Sequence, residues 1–238
     1  MTGVQTCALP IFNYLGYAGV LDQIGSEGGN PALPNFQIAD LLGGALTAAF
    51  GILAAIVEAQ RTGKGRYIDV SMTDSVLAHT YFAMLRLNDS AHSVPRGSDL
   101  LAGGFPCYGA YRCADGRHMA VGALEGKFWK ICCEVVGRPE WVGRQWDASL
   151  RAELATLFAT RPRDEWAKLF AAVDCCVTPI LTPEEALKNE QIVARGMVLH
   201  EDGLTQFAPP LKMSDFKFAI RQAAPSAGQH DAEILVAA

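Results

Sequence analysis

Apolar residues run almost without interruption from Ile38 through Val57 and give way to Glu58-Ala59-Gln60-Arg61. A run with no polar face predicts a helix buried on most sides. Thr62-Gly63 ends it, with Gly63 suited to the left-handed position that closes many helices. Tyr67 to Met72 then alternates, apolar at Ile68, Val70 and Met72, which predicts a short strand. From Asp74 to about Leu87 the spacing is helical again. Helix, strand and helix in succession form an α/β pattern, read here as the last unit of an open, mostly parallel sheet.

Asn88 to Gly104 is polar and turn-rich, and it predicts a crossing to a second region. Beyond it, Tyr108, Tyr111 and Cys113 alternate with smaller neighbours, Ala114-Asp115-Gly116-Arg117 supplies a turn, and His118 to Val121 is the return strand of a hairpin. Glu125 lies at that strand's exit. Rigid scaffolds often hold catalytic groups at such exits, open to substrate; an acid capping a helix from near Lys127 fits the same position. Helices are predicted over Phe128 to Val136, Leu150 to Thr160 and Asp164 to Val173, with a strand at Val177 to Leu181. Thr182-Pro183-Glu184-Glu185 opens a further helix. From Glu201 onward, with Pro209-Pro210 and Pro225, the tail is predicted to be extended.

Composition narrows the function classes. At 238 residues and 50% hydrophobic, the chain has enough apolar material for one large domain or two smaller ones. Its net charge of -5 carries no basic run, which argues against nucleic acid and anionic membrane surfaces as partners. The seven cysteines show no CxxC spacing, so metal and disulfide frameworks are poorly supported and a reducing cytoplasm fits best. Leu41 to Val57 is the one membrane candidate. It is shorter than the ~20 residues a bilayer requires, and we read it as a core helix. Met1 to Ile11 lacks the basic start, apolar centre and cleavage site of a signal peptide. It reads as the in-frame translation of a sequencing-library adapter, which makes the chain a fragment of a longer protein. Resequencing the source DNA across the Ile11–Phe12 junction checks this, and an uninterrupted native reading frame there would overturn it.

Gly103-Gly104-Phe105-Pro106, Tyr108, Tyr111, Ala114-Asp115-Gly116 and Ala120-Val121-Gly122-Ala123-Leu124-Glu125 together resemble the family III CoA-transferases, in their α-methylacyl-CoA racemase branch. Asn13-Tyr14, Ile38-Ala39-Asp40, Gly43-Gly44, Arg61-Thr62-Gly63-Lys64-Gly65, Ile68-Asp69-Val70 and Cys176-Val177-Thr178-Pro179 follow that family's order. The resemblance runs from about Phe12 to about Ile234. It implies an incomplete Rossmann-like large domain plus a smaller α+β domain, α/β overall, in an interlocked homodimer. On this reading residues 1–11 are a non-native leader, 12–88 a remnant of the large domain, 89–105 a linker, 106–200 the small domain, and 201–238 a tail returning to the large one.

The resemblance also implies roles. Racemising a carbon beside a thioester needs one group to remove the α-proton, another to return it on the opposite face, and stabilisation of the enolate oxygen between those steps. In the racemase branch the two bases are a His and an Asp. The Asp falls on Asp40, and the family's His falls on Pro10, which cannot carry a proton. Asp40 also fits a simple helix N-cap. Glu125 matches an acid that supports the His across the dimer interface. Tyr14, Gly103 and Gly104 are family landmarks taken as substrate-binding, and Met72 and Met84 suit either an acyl channel or core filling. Coenzyme A enters as part of an acyl-CoA substrate, with no separate cofactor and no metal. Two alternatives remain: CoA transfer between carboxylic acids through an Asp nucleophile, and an inactive fragment able only to associate. His79 is read as a structural histidine, and Arg61, Lys64 and Arg66 as a solvated turn.

Overall fold

A computed structural model describes residues 11–201, 203–220, 222 and 224–235. Pro10, and with it the leader reading of the first ten residues, lies outside the described residues. Helices and antiparallel strands make a mixed α and β chain, and it divides into two compact units between Pro179 and Ile180.

In the first unit the hairpin forms where the alternation placed it. β1 (Tyr108–Arg112) pairs antiparallel with β2 (His118–Gly122), Ala110 opposite Ala120. β2 in turn pairs antiparallel with β3 (Val177–Pro179), Ala120 opposite Thr178. Successive strand side chains point to opposite faces. Tyr111, Met119 and Val121 therefore enter one core, with α5 (Gly126–Val135), α6 (Leu150–Phe158) and α7 (Arg163–Ala171) contributing Trp129, Leu154, Phe158, Trp166 and Phe170. Tyr111 stacks on Phe158 with ring centroids 5.2 Å apart, and Trp166 lies 5.1 Å from Phe158. Such pairs add roughly 0.5–1.5 kcal/mol each beyond simple burial.

Polar atoms of these rings are satisfied. Tyr111 donates to the Pro106 carbonyl at 2.8 Å, Trp129 to that of Trp141 at 3.1 Å, and Trp166 to that of Phe158 at 2.9 Å. A buried donor left without a partner would cost about 1–3 kcal/mol, so these bonds select one packing. The hairpin turn serves a second element as well. Asp115 accepts from the Arg117 amide at 3.2 Å and, with its other oxygen, from the Arg163 amide at 3.1 Å, thereby capping the start of α7.

A separate, smaller cluster joins Leu15 and Ala18, at the end of α1 (Phe12–Tyr17), to Ala39 and Val76. Ile38–Leu46 is a π-helical run that continues into α2 (Thr47–Thr62). α3 (Met72–Ala78), capped by Ser71, crosses it closely. A Cβ on Gly43 would stand 3.0 Å from Val76 Cγ1 and 3.1 Å from the Met72 carbonyl oxygen. Gly63 closes α2 in the left-handed region, φ 71°, as its sequence position suggested.

Several expectations are corrected. α2 was expected to be a core helix, yet none of its residues is buried, and Phe50 is 74% exposed. Composition registers that a helix needs cover, not which surface supplies it. The continuous helix Ile38–Thr62 is, at 25 residues, long and apolar enough to cross a membrane. No strand forms over Tyr67 to Met72: Tyr67 to Ser71 has no regular structure, Tyr67 is 90% exposed, and Met72 already opens α3. A strand exists only through a hydrogen-bonded neighbour, and among the described residues this stretch has none. The helix expected from Asp74 to Leu87 is two helices, α3 and α4 (Tyr81–Ser90), parted at His79-Thr80. There Thr80 Oγ1 donates to the Leu77 carbonyl at 2.6 Å, and the exposed His79 ring lies 2.6 Å from that of Ser75, both local bonds that compete with helix continuation.

The second unit begins with α8 (Pro183–Ala186), set by a reciprocal cap: the Glu185 amide donates to Thr182 Oγ1 at 3.3 Å, and the Thr182 amide to Glu185 Oε2 at 2.9 Å. α9 (Glu190–Ala194) follows. The tail expected to be extended from Glu201 instead holds a hairpin, β4 (Val198–Glu201) with β5 (Leu204–Phe207), and the overlooked signal was the Asp-Gly dipeptide at 202–203. α10 (Asp231–Leu235) ends the described chain.

Two measurements check this fold. Gly43→Ala forces α3 and the π-helical run apart and is expected to cost about 1–3 kcal/mol in urea unfolding; an unchanged midpoint contradicts the close crossing. Exposed apolar patches drive association. Phe50→Glu with Leu53→Glu is therefore expected to shift the protein from aggregate to smaller species in gel filtration, with an unchanged thermal transition. An unaltered elution profile counts against it.

Candidate functional site

The middle of the sheet face turned away from the aromatic core carries small residues, Ala110, Ala120, Gly122 and Thr178, between Tyr108 on one side and Arg112 and His118 on the other, and it floors an open recess of about 530 Å³. Tyr108, Cys176 and the segment Leu101, Ala102 and Gly103 complete its lining. A larger side chain on this face would fill the space, so the run of alanine and glycine on alternate positions is what leaves the sheet uncovered.

Two glycines shape the edge of the recess. Gly103 adopts φ 94°, a conformation strained for any residue with a Cβ. Gly104 is buried with its α-carbon tight against the Ser98 carbonyl, where a Cβ would clash. Sequence reasoning took both as substrate-binding. The structure places Gly103 in the lining and Gly104 in the packing behind it.

At the other edge, Cys176 stands in the left-handed region at φ 57°, a strain of roughly 1–3 kcal/mol for a non-glycine. Its carbonyl accepts the Gly122 amide at 2.9 Å, which ties β3 to the end of β2. Its exposed thiol is pushed up from the ordinary cysteine range by partial desolvation and then by the negative charges of Asp174 and Glu125, with Lys127 opposing them. Glu125 follows three residues after Gly122, which lines the recess. The other described cysteines, Cys107, Cys113, Cys132, Cys133 and Cys175, are buried, and burial pushes each of those thiols up, Cys133 to about 12. They are unreactive core side chains.

Glu125 occupies the N-cap position of α5, as the simpler sequence reading held, but its side chain does not cap. The carbonyl accepts from Phe128 and Trp129 amides at 2.9 and 3.1 Å, while the carboxylate is exposed. Buried Gln145 fixes this exit by donating to the Leu124 carbonyl at 2.7 Å and to that of Ala123 at 3.2 Å. Backbone and side chain are thus divided between anchoring and availability.

Asp40 is not an N-cap: Gln37 is, and Asp40 lies in the first turn of the π-helical run. It is half-buried, and among the described residues no hydrogen bond or ion pair engages its carboxylate. π-helical segments recur at functional sites. Met72 packs on the same run, its sulfur 3.4 Å from where a Gly44 Cβ would stand. Half-buried Tyr14 is on α1, next to the same small cluster. Met84 lines a different pocket with Asp74, Leu77 and Tyr81. Asp40, Tyr14, Met72 and Met84 therefore stay outside the recess that holds Gly103. Arg66 pairs with Glu58, which leaves the Arg61–Arg66 turn a solvated one. No group of three or more His, Cys, Asp or Glu suited to a metal occurs among the described residues.

The recess is built from the same motifs that carry the sequence resemblance, and comparison with known proteins agrees. The profile of CoA-transferase family III matches residues 12–231. The chain belongs to CoA-transferase family III. It is 34% identical over 230 residues to human "Alpha-methylacyl-CoA racemase", covering 94% of this chain and 60% of that protein. "Formyl-CoA:oxalate CoA-transferase" of Streptomyces avermitilis is 29% identical, covering 92% and 60%. In three dimensions the chain is similar to a CAIB/BAIF family protein from Brucella suis, TM-score 0.78 at 21% identity, over 95% of this chain and 62% of that one. The chain thus spans about 60% of the length of these family III relatives.

Sequence reasoning quoted Tyr108, Gly122, Cys176 and Thr178 as family landmarks without assigning them to a site. The available signal was the strand alternation, which sets Ala110, Ala120 and Gly122 on one face. Because Glu125 raises the Cys176 pKa, Glu125→Gln is expected to lower it and speed alkylation of Cys176 at pH 8. Solvent screening limits the gain to less than about threefold. An unchanged or slower rate separates the two side chains.

Proposed function

We propose that this chain is part of a cytoplasmic enzyme acting on CoA thioesters, interconverting the epimers of a 2-methyl-branched acyl-CoA by 1,1-proton transfer without a separate cofactor. The reading is supported chiefly by Asp40, a carboxylate that nothing described engages, in a π-helical first turn of a chain 34% identical to an acyl-CoA racemase. An uncommitted carboxylate can take up the α-proton on one face, while a second base returns a proton on the other. The positive end of the helix dipole at Ile38–Leu46 favours negative charge developing on a thioester oxygen nearby. Glu125, exposed beside the recess, serves as the supporting acid in a homodimer. The larger architecture in this proposal is a Rossmann-like domain, continued by residues 12–88, with residues 106–200 as the small domain.

CoA transfer between carboxylic acids is the second reading, supported by the 29% identity to a formyl-CoA:oxalate CoA-transferase. The present chain has Pro10 where the racemase branch has its second base, so we expect the 238-residue product itself to be inactive as a racemase. Incubation with a 2-methylacyl-CoA in deuterium oxide tests these readings. The expected outcome is no deuterium at the α-carbon for this chain. Measurable epimerisation contradicts the assignment of the missing base to Pro10, and acyl migration to an added carboxylic acid replaces the racemase reading with the transferase one.

A further inference from the structure

Arg96 lies five residues before the segment that edges the recess, and each of its three guanidinium nitrogens donates a hydrogen bond. Nε donates to the Asp22 carbonyl at 2.7 Å, Nη1 to the Gly29 carbonyl at 2.8 Å, and Nη2 to the Asp22 carboxylate at 2.7 Å. Three bonds from one planar group to two turns of the loop Asp22–Gly29 make a strap rather than a surface ion pair, and the side chain is only 20% exposed. The backbone on either side is fitted to it. Gly97, at φ 75°, packs against the Glu27 amide where a Cβ would clash, and a Cβ on Gly25 would stand 2.9 Å from Arg96 Cδ. The Gly97 carbonyl is in turn the nearest atom behind Gly103, at 3.7 Å from where its Cβ would be.

We propose that Arg96 is a positioning residue: by strapping its segment to the loop Asp22–Gly29, it holds Leu101, Ala102 and Gly103 in place as an edge of the recess. The far end of the same segment is pinned independently. Asp99 accepts from Arg86 at 2.8 Å, and its carbonyl accepts the Ala102 and Gly104 amides at 3.0 Å each. Release of Arg96 therefore loosens the edge without unfolding it, and leaves β1, β2 and their aromatic core in register. The importance of the strap for substrate rests on the recess belonging to the acyl-CoA site. Its existence does not, and the test needs no substrate.

Amide exchange over residues 97–104 reports the edge itself, and the buried Cys107, Cys113, Cys132, Cys133 and Cys175 report global opening in the same sample. The full chain and its Arg96→Ala variant are labelled with a bulky maleimide and read peptide by peptide, alongside amide hydrogen exchange over residues 97–104. The expected result is about fivefold faster exchange over that segment, with the buried thiols unchanged, as for a local opening. Arg96→Lys, which keeps one charged donor, is expected to recover part of the protection. Exchange over residues 97–104 equal to that of the unaltered chain overturns the proposal. So does acceleration shared by all the buried thiols, which marks Arg96 as a general stabiliser.

Discussion

The pleat of one short antiparallel sheet governs both the stable core and the candidate site. Side chains on β1 and β2 alternate, so with Tyr111, Met119 and Val121 on one face, Ala110, Ala120 and Gly122 fall on the other. A register slip by one residue would exchange the two sets, put small residues into the aromatic cluster and fill the recess. The hydrogen bonds of Tyr111, Trp129 and Trp166 to backbone carbonyls guard against that slip, since each would be lost in a different packing.

Around that sheet, the family motifs divide their labour. Asp115 closes the hairpin and caps α7 and Gly104 allows close approach to Ser98, while Gln145, outside the motifs, clamps the strand exit so that Glu125 is presented with its side chain exposed. Most motif residues are therefore structural, and they make a few side chains available. Asp40 belongs to a different neighbourhood, a π-helical run crossed closely by α3 at Gly43.

Local signals were legible in the sequence where partners lie close along the chain. The Ala114–Arg117 turn, the Thr182/Glu185 cap and the Gly63 helix end appear where expected, because each depends on bonds spanning a few residues. Signals that need a distant partner failed. Tyr67 to Met72 has strand alternation but no neighbour, and α2 has an apolar surface with no described cover. The break at His79-Thr80 was hidden because the competing bonds to Ser75 and Leu77 leave the apolar spacing intact. As candidates for the site, Glu125 was marked by its strand exit and Asp40 by the family resemblance. Cys176 became visible as a recess residue only when pairing set it beside Gly122.

Native-state hydrogen exchange, resolved by residue, tests the central claim that the aromatic-backed sheet is the rigid element on which the site is built. The amides of Tyr108–Arg112 and His118–Gly122 that pair within the sheet should exchange together, at the slowest rate in the chain, while those of Thr47–Thr62 exchange faster. Protection in Thr47–Thr62 equal to or greater than that of the hairpin would contradict it.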